Sequence, residues 1–287
     1  HGRDRRQRQM CIRDSMHDAL ADWLALIRAP GIGAVKGAKL LEHCGTPEAV
    51  LSAGRSVWAS CGMDEAASRW FAQPDWALIN QDMEWLAAQP YRHLITRDDP
   101  AYPARLKEIA AAPLALFVVG DPDVLQTDQI AIVGSRNASR DGLAQAHDFS
   151  AELARHGLVV TSGLALGIDT AAHEGALGSN GLTLAVCGTG PDRIYPARNR
   201  TLAERIIEEG ALVTEFPPGT EASARHFPQR NRLISGLSLG VLVVEAALQS
   251  GSLITARKAL EQGREVFAMP GSIHNPMARG CHRLIRE

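Results

Sequence analysis

The stretch Ile130-Ala131-Ile132-Val133-Gly134-Ser135-Arg136-Asn137-Ala138-Ser139 runs four apolar residues straight into a small, polar turn. A short continuous apolar run suits a strand buried on both faces, and small residues after it suit a tight exit into a helix. The pattern recurs downstream. Apolar runs at 158–161, 182–187, 211–214, 241–244 and 266–269 alternate with helical patterns near 141–156, 169–178, 198–209 and 252–262. Buried strands alternating with helices predict an α/β fold built on a doubly wound, mostly parallel sheet.

Working outward toward the N-terminus, residues 16–88 read as a small helical domain. Leu20, Trp23, Leu24 and Ile27 follow a 3.6-residue period. Residues 30–41 then read as a glycine-rich turn leading into a second helix. That is a helix-hairpin-helix pattern, whose second helix can turn its first amides toward a phosphate, or else a tight turn inside a helical bundle. Both readings stay open. Trp58, Trp70, Phe71, Trp76 and Trp85 are expected to fill the core of this domain. Residues 91–123 form a transition, with a turn at Arg97-Asp98-Asp99-Pro100 and an apolar run at 114–119. Residues 89–287 make up the second domain. The Arg/Gln-rich residues 1–15 lack the apolar core of a signal peptide and are expected to be a non-native leader, with the native start at Met16. A basic arm that touches DNA is the alternative.

Composition narrows the class. The chain of 287 residues is 45% hydrophobic and 22% charged, ordinary values for a soluble globular protein. No apolar run approaches the roughly 20 residues that cross a bilayer, so no membrane association is expected. Cys11, Cys44, Cys61, Cys187 and Cys281 lie far apart without a CxxC spacing, which argues against zinc and disulfides and suits the cytoplasm. The net charge is −2, so any polyanion site must be a local basic patch.

In a doubly wound sheet, ligands bind beyond the carboxyl ends of the strands. The strand exits here are Gly134-Ser135-Arg136, Ser162-Gly163-Leu164, Gly188-Thr189-Gly190, Ser250-Gly251-Ser252 and Pro270-Gly271-Ser272. Several exits built for close backbone approach point to a ligand that carries phosphate. GxGxxG is missing after the early strands and GxxxxGK[ST] is absent, so NAD, FAD and P-loop hydrolysis of ATP are not expected, nor any other cofactor. The segment Ala224-Arg225-His226-Phe227-Pro228-Gln229-Arg230-Asn231-Arg232 interleaves three Arg with an aromatic. Guanidinium forks match phosphate oxygens and a ring offers a stacking face, a pairing that suggests single-stranded nucleic acid. A solvated basic loop with Phe227 tucked into the core is the plainer reading.

The strings GSRNAS, SGLALGIDTAAH, GxxxxYP ending at Tyr195-Pro196, TEFPPG, FPQRNRLISGLS, VEAALQSGSLITA and FAMPG, in this order, resemble the DprA/Smf family over roughly two-thirds of the chain, from about Ile95 onward. The resemblance implies an extended Rossmann-like core preceded by a sterile-alpha-motif-like domain. It implies binding and protection of single-stranded DNA, a homodimer formed through the core, and loading of the RecA recombinase in natural transformation. DNA- or phosphate-binding roles are expected at Gly134, Ser135, Arg136, Ser162, Gly163, Leu164, Phe227, Arg230, Asn231, Arg232, Ser250, Gly251 and Ser252. Asp141 departs from the family pattern, which carries an aromatic before Gly142. A C-terminal winged-helix-like module, common in relatives, is expected to be missing. Exposed apolar residues near Leu237, Leu239 or Leu248 are candidates for the dimer contact.

Several polar residues offer catalytic readings. Asp169 and His173 stand i, i+4 and fit an acid–base pair, but a helix cap with a packed histidine behind it fits better. Glu215 and Glu245 each end a strand, and orienting buried Arg230 or Arg232 is the favoured role for both. No metal cluster, nucleophile with base or GxSxG elbow is visible. The expectation is a binding protein and not an enzyme. A Rossmann-like nucleotide phosphoribohydrolase using Glu245 is the alternative, although its PGGxGTxxE signature is not present.

Overall fold

The structure is a computed structural model that describes residues 19–287. The expectations for residues 1–15 and Met16 lie outside the described residues. The chain divides into two compact units: one reaches to Pro90 and takes in Pro113–Ala115, and the other comprises Tyr91–Ala112 and Leu116–Glu287.

The first unit is helical. Helix α1 covers residues 19–28 and is followed by α2 (Ala34–Cys44), α3 (Pro47–Ser52), α4 (Arg55–Ser60), α5 (Glu65–Ala72) and α6 (Trp76–Ala87). Thr46, Asp64 and Asp75 cap α3, α5 and α6 by accepting the amides of Ala49, Ala67 and Leu78. Each such cap stabilises its helix by about 1 kcal/mol. Trp23, Leu26, Leu40, Val50, Trp58 and Phe71 form the core. Trp70 and Trp85 are only half-buried, the Trp70 indole donating to the Ala25 carbonyl at 2.7 Å. Trp76 is 45% exposed, against the core role expected of it, because it opens α6 ahead of the buried stripe Ile79, Asp82, Met83 and Leu86.

The second unit contains, in chain order, β1 (Arg92–Thr96), α7 (Ala104–Lys107), β2 (Ala115–Gly120), β3 (Gln129–Val133), α8 (Arg140–Arg155), β4 (Val159–Ser162), α9 (Ile168–Gly178) and β5 (Thr183–Val186). It continues with α10 (Arg200–Glu209), β6 (Ala211–Thr214), α11 (His226–Leu237), β7 (Gly240–Val243), α12 (Ser252–Glu261), β8 (Glu265–Ala268) and α13 (Arg279–Arg286). The sheet is eight-stranded in the order β1-β2-β6-β5-β4-β3-β7-β8. The pairs from β6 across to β8 are parallel, while β2 runs antiparallel to β6. This is the doubly wound, mostly parallel sheet that the sequence predicts.

Period-two alternation splits the strand residues between two cores. Ala131, Val133, Val159, Val241 and Val243 face Leu233, Ile234 and Leu237 of α11 and Ala256 and Ala259 of α12. Ile132, Val160, Leu242 and Val244 face Ala146 and Ala154 of α8 and Ala171, Ala172 and Ala176 of α9. Leu237, a candidate for the dimer contact, is thus only 2% exposed, whereas Leu239 and Leu248 are 36% and 51% exposed. From β3 the chain winds one way through β4, β5 and β6, then returns to place β7 and β8 on the other side. The crevice between the carboxyl ends of β3 and β7 is therefore the switch point of the fold. Among the described residues no helix is long and apolar enough to cross a membrane.

Helices α8 and α9, which follow the first two exits of the parallel sheet, pack closely through small residues. A Cβ on Gly175 would lie 2.2 Å from the His147 carbonyl oxygen, a backbone atom that cannot rotate away. Gly175→Ala is expected to destabilise the second unit by about 1–3 kcal/mol through overpacking. Urea denaturation followed by far-UV circular dichroism checks this, and an unshifted midpoint would contradict the close packing.

Candidate functional site

A cleft of about 870 Å³ opens at the switch point. Its walls come from the exit of β3, the exit of β7 with the first turn of α12, and the first two turns of α11. Gly134, Ser135, Arg136, Phe227, Arg230, Asn231, Ser250, Gly251 and Ser252 all line it. Residues drawn from three separated stretches of sequence thus meet in one concavity.

The two walls are tied together by a carboxylate. Glu245, beyond the end of β7, accepts hydrogen bonds from the Ser139 amide at 2.9 Å, the Ser139 hydroxyl at 2.6 Å and the Asn275 side chain at 3.3 Å. Ser139 in turn caps α8 by accepting from the Gly142 amide. The role expected for Glu245, orienting an arginine, is corrected by this geometry: its oxygens are committed to the β3 exit. Asp141 stands exposed in the first turn of α8, where a carboxylate favours the positive end of the helix.

Arg230 is the dominant electrostatic feature. The segment that reads as a basic loop is in fact the first half of α11, and one helical turn past Phe227 brings Arg230 inward to 4% exposure. Its guanidinium lies against the backbone of Gly163, where an added Cβ would sit 1.7 Å from Nη1. Among the described residues no carboxylate is within ion-pair distance of it, and Nε has no hydrogen-bond partner. Asp169, 7% exposed, supplies a nearby negative charge and also lines the cleft. Burial pulls the Arg230 pKa below its ordinary value and pushes that of Asp169 above, each opposed by the other's charge. A guanidinium stays protonated across the accessible pH range. What remains is a buried, underpaired cation facing a cavity.

Arg136 stands exposed at the rim, its guanidinium 5.6 Å from the centroid of the Phe227 ring. Tyr195 joins the same wall with its ring centroid 5.4 Å from that of Phe227. Neither Tyr195 nor Asp169 was expected as a binding residue. The YP string flags Tyr195 only as part of a pattern, and nothing in its spacing places it beside Phe227.

Four expected residues do not reach the cleft. Ser162 is fully buried and donates to the Ile132 carbonyl at 2.6 Å. Leu164 takes a left-handed backbone, φ 59°, which turns its side chain into the core at 0% exposure. Gly163 faces Arg230, and its amide donates to Asp169. Arg232 is held by Glu215 in a largely buried ion pair, the favoured role of Glu215, and does not line the cleft. Asp169 does not cap α9 in the usual way. It stands inside the first turn and reaches back to the amides of Gly163 at 3.1 Å and Ala165 at 3.3 Å, fixing the loop on which Arg230 rests. Among the described residues no cluster of His, Cys, Asp or Glu is arranged to hold a metal ion.

Comparison with known proteins gives a consistent picture. The family model described as DNA recombination-mediator protein A matches residues 93–287. The chain is 51% identical over 210 residues to Protein Smf of Escherichia coli, an alignment that covers 73% of this chain and 56% of that protein. It is 47% identical over 189 residues to DNA processing protein DprA of Streptococcus pneumoniae, covering 66% of this chain and 67% of that one. The chain thus spans little more than half the length of the Escherichia coli relative. The X-ray structure of DprA from Streptococcus pneumoniae superposes with a TM-score of 0.81 at 37% identity, covering 92% of both chains. A DprA structure from Helicobacter pylori, described as giving insight into its single-stranded DNA binding mode, superposes with a TM-score of 0.62 at 29% identity over 68% of this chain and 87% of that one.

The buried histidine behind the loop has no acid–base partner in this arrangement. Thr183 Oγ1 donates to the Val160 carbonyl, so it accepts from His173 Nδ1–H at 2.7 Å. That leaves His173 Nε2 bare and without a partner inside the core. Burial and the charge of Arg230 depress the His173 pKa from 6.5 to about 3. Between these values the unfolded chain binds a proton that the folded chain refuses. Stability is therefore full above pH 6.5 and falls as the pH drops toward 3. His173→Gln, which keeps a donor for Thr183 but does not titrate, is expected to flatten that slope by about 1.4 kcal/mol per pH unit. Urea midpoints collected across the window measure it, and identical slopes for the two proteins would refute the assignment.

Proposed function

The chain belongs to the DNA recombination-mediator protein A family, and from that membership we propose that it binds and protects single-stranded DNA and loads the RecA recombinase in natural transformation and recombination. The observation that carries the reading is Arg230, a guanidinium only 4% exposed, short of partners and opening into the switch-point cleft beside the exposed Arg136. A phosphodiester entering the cleft supplies the missing acceptor, and charge-assisted bonds to phosphate are among the stronger ones in proteins. Gly134 and Ser135 line its path on the β3 side. Asn231, Ser250, Gly251 and Ser252 line it on the other, where the first turn of α12 adds its dipole. Ser162, Gly163 and Leu164 serve indirectly, by shaping the seat of Arg230.

Depth favours a single strand. A flexible strand can turn one phosphate inward and its base outward, whereas the backbone of a duplex is held in a regular helix and meets only the rim. The homodimer is proposed to form through the Rossmann-like unit, with exposed Leu239 and Leu248 available for apolar contact. The work of the site is binding and not turnover: Glu245, the carboxylate that a phosphoribohydrolase would need, is engaged by Ser139 and Asn275.

Fluorescence anisotropy with short labelled oligo-dT at two salt concentrations tests the reading. Arg136→Ala and Arg230→Ala are each expected to weaken binding and to flatten the log–log salt slope by about 0.7. Gly163→Ala should stay folded, because only the end of a flexible side chain stands in the way, yet reproduce the Arg230→Ala loss without adding to it in the double variant. Arg232→Ala should instead lower stability, since it leaves Glu215 buried without its partner, and should leave the salt slope unchanged. Equal affinity for blunt duplex, or an unchanged slope in the Arg136/Arg230 double variant, would sink the proposal.

A further inference from the structure

The stacking face in this cleft has to be free before a base can use it, and the Phe227 ring is not free. The Arg136 guanidinium lies 5.6 Å from its centroid, and the Tyr195 ring lies 5.4 Å away at an interplanar angle of 35°. Its edge rests on the backbone of Gly188, where an added Cβ would come within 2.9 Å of Cδ1. Phe227 is half-buried among these neighbours. Tyr195, by contrast, is 50% exposed and lines the cleft. The other exposed aromatics of this unit, Tyr91, Phe149 and Phe267, do not line it.

We propose that Tyr195 is the base-stacking residue of the site, and that Phe227 is the support that fixes both the Tyr195 ring and the Arg136 guanidinium. This rests on the reading of the cleft as a single-strand site. The ligand group is a nucleobase belonging to the strand whose phosphate Arg136 and Arg230 hold. Charge and stacking are then delivered from one connected unit: Arg136 on the Phe227 ring takes the backbone, and Tyr195 beside the same ring takes the base. A phenol ring stacks on any base, since every base has a π face, so this contact raises affinity without selecting sequence. The phenolic hydroxyl is not required for the stack.

The test compares oligo-dT with an abasic oligonucleotide of the same length and charge, using the full chain and anisotropy. Wild-type protein is expected to prefer the strand that carries bases. In Tyr195→Ala that preference should fall by at least about fivefold, while the salt slope, which reports the phosphate contacts, stays as in wild type. Tyr195→Phe should retain the preference, and so should Phe227→Leu, which keeps apolar bulk under Tyr195 but offers no ring. Loss of the preference in Phe227→Leu together with its retention in Tyr195→Ala would overturn the assignment in favour of Phe227. A wild-type protein that binds oligo-dT with no preference over the abasic strand would overturn stacking altogether, yet leave the phosphate cleft intact. If wild-type protein binds neither strand, the single-strand reading falls and this inference falls with it. Tyr195 is half-exposed, so its truncation should not unfold the chain, and a thermal melt confirms that.

Discussion

A guanidinium removed from water and given too few partners constrains the second unit more than any other single feature. Desolvating an ion carries a penalty of several kcal/mol, which the surroundings must offset through charge and hydrogen bonds. Arg230 receives the field of Asp169 but no ion pair within reach and no acceptor for Nε. The neighbouring choices follow from keeping it there. Gly163 has no side chain because the guanidinium occupies that space. Asp169 accepts from the amides of Gly163 and Ala165, which with the charge of Arg230 oppose the upward push of burial on its pKa and pin the loop beneath Arg230. The fold keeps a cation in a state that an incoming anion improves.

Topology explains why this happens at one place on the sheet. Between β3 and β7 the winding reverses, so the loops leaving those strands diverge and open a crevice. Divergent loops need a tie, and Glu245 supplies it by reaching from the β7 exit to Ser139 at the start of α8. The carboxylate works as a buried brace between the two exits. Phosphate-binding elements in open α/β sheets commonly rely on glycine-rich backbone alone. Here the crevice combines backbone with one buried and one exposed arginine, which suits a polymer of phosphates better than a single compact headgroup.

Much of this was legible in the sequence. Strands β3 to β7 stand out because burial on both faces leaves apolar runs, whereas β8 lies at the sheet edge with Phe267 51% exposed, and the exits at Gly134-Ser135-Arg136 and Ser250-Gly251-Ser252 reach the cleft as their composition suggests. The stretch around Phe227 was harder. Its Pro228 and dense Arg content read as loop, yet proline is tolerated in a helix's first turn and the chain is helical from His226. Helical geometry then separates residues that look equivalent on paper. Arg230 and Arg232 lie two positions apart, about 200° around the axis, so one enters the cleft and the other meets Glu215. Ser162 and Leu164 failed for a related reason. A loop residue faces a ligand only where the backbone turns it outward, and the left-handed turn at Leu164 sends that side chain inward. Tyr195 was invisible because its partner in the site is 32 residues away in sequence and is joined to it only by the fold.

The acidic balance of the chain bears on how such a site would work. With a net charge of −2, long-range attraction for a polyanion is weak, and at physiological salt the field of exposed groups fades within about 8 Å. A site in such a protein has to act at short range. Burial provides this, because a guanidinium set against Gly163 and only 4% exposed interacts through a lower effective dielectric than one on the surface. On the proposed reading the gain goes only to a strand that can bend a phosphate inward past the rim, so the feature that compensates for the missing global field would also disfavour rigid duplex. Affinity and strand selectivity would then have a common origin in the depth at which α11 sets Arg230.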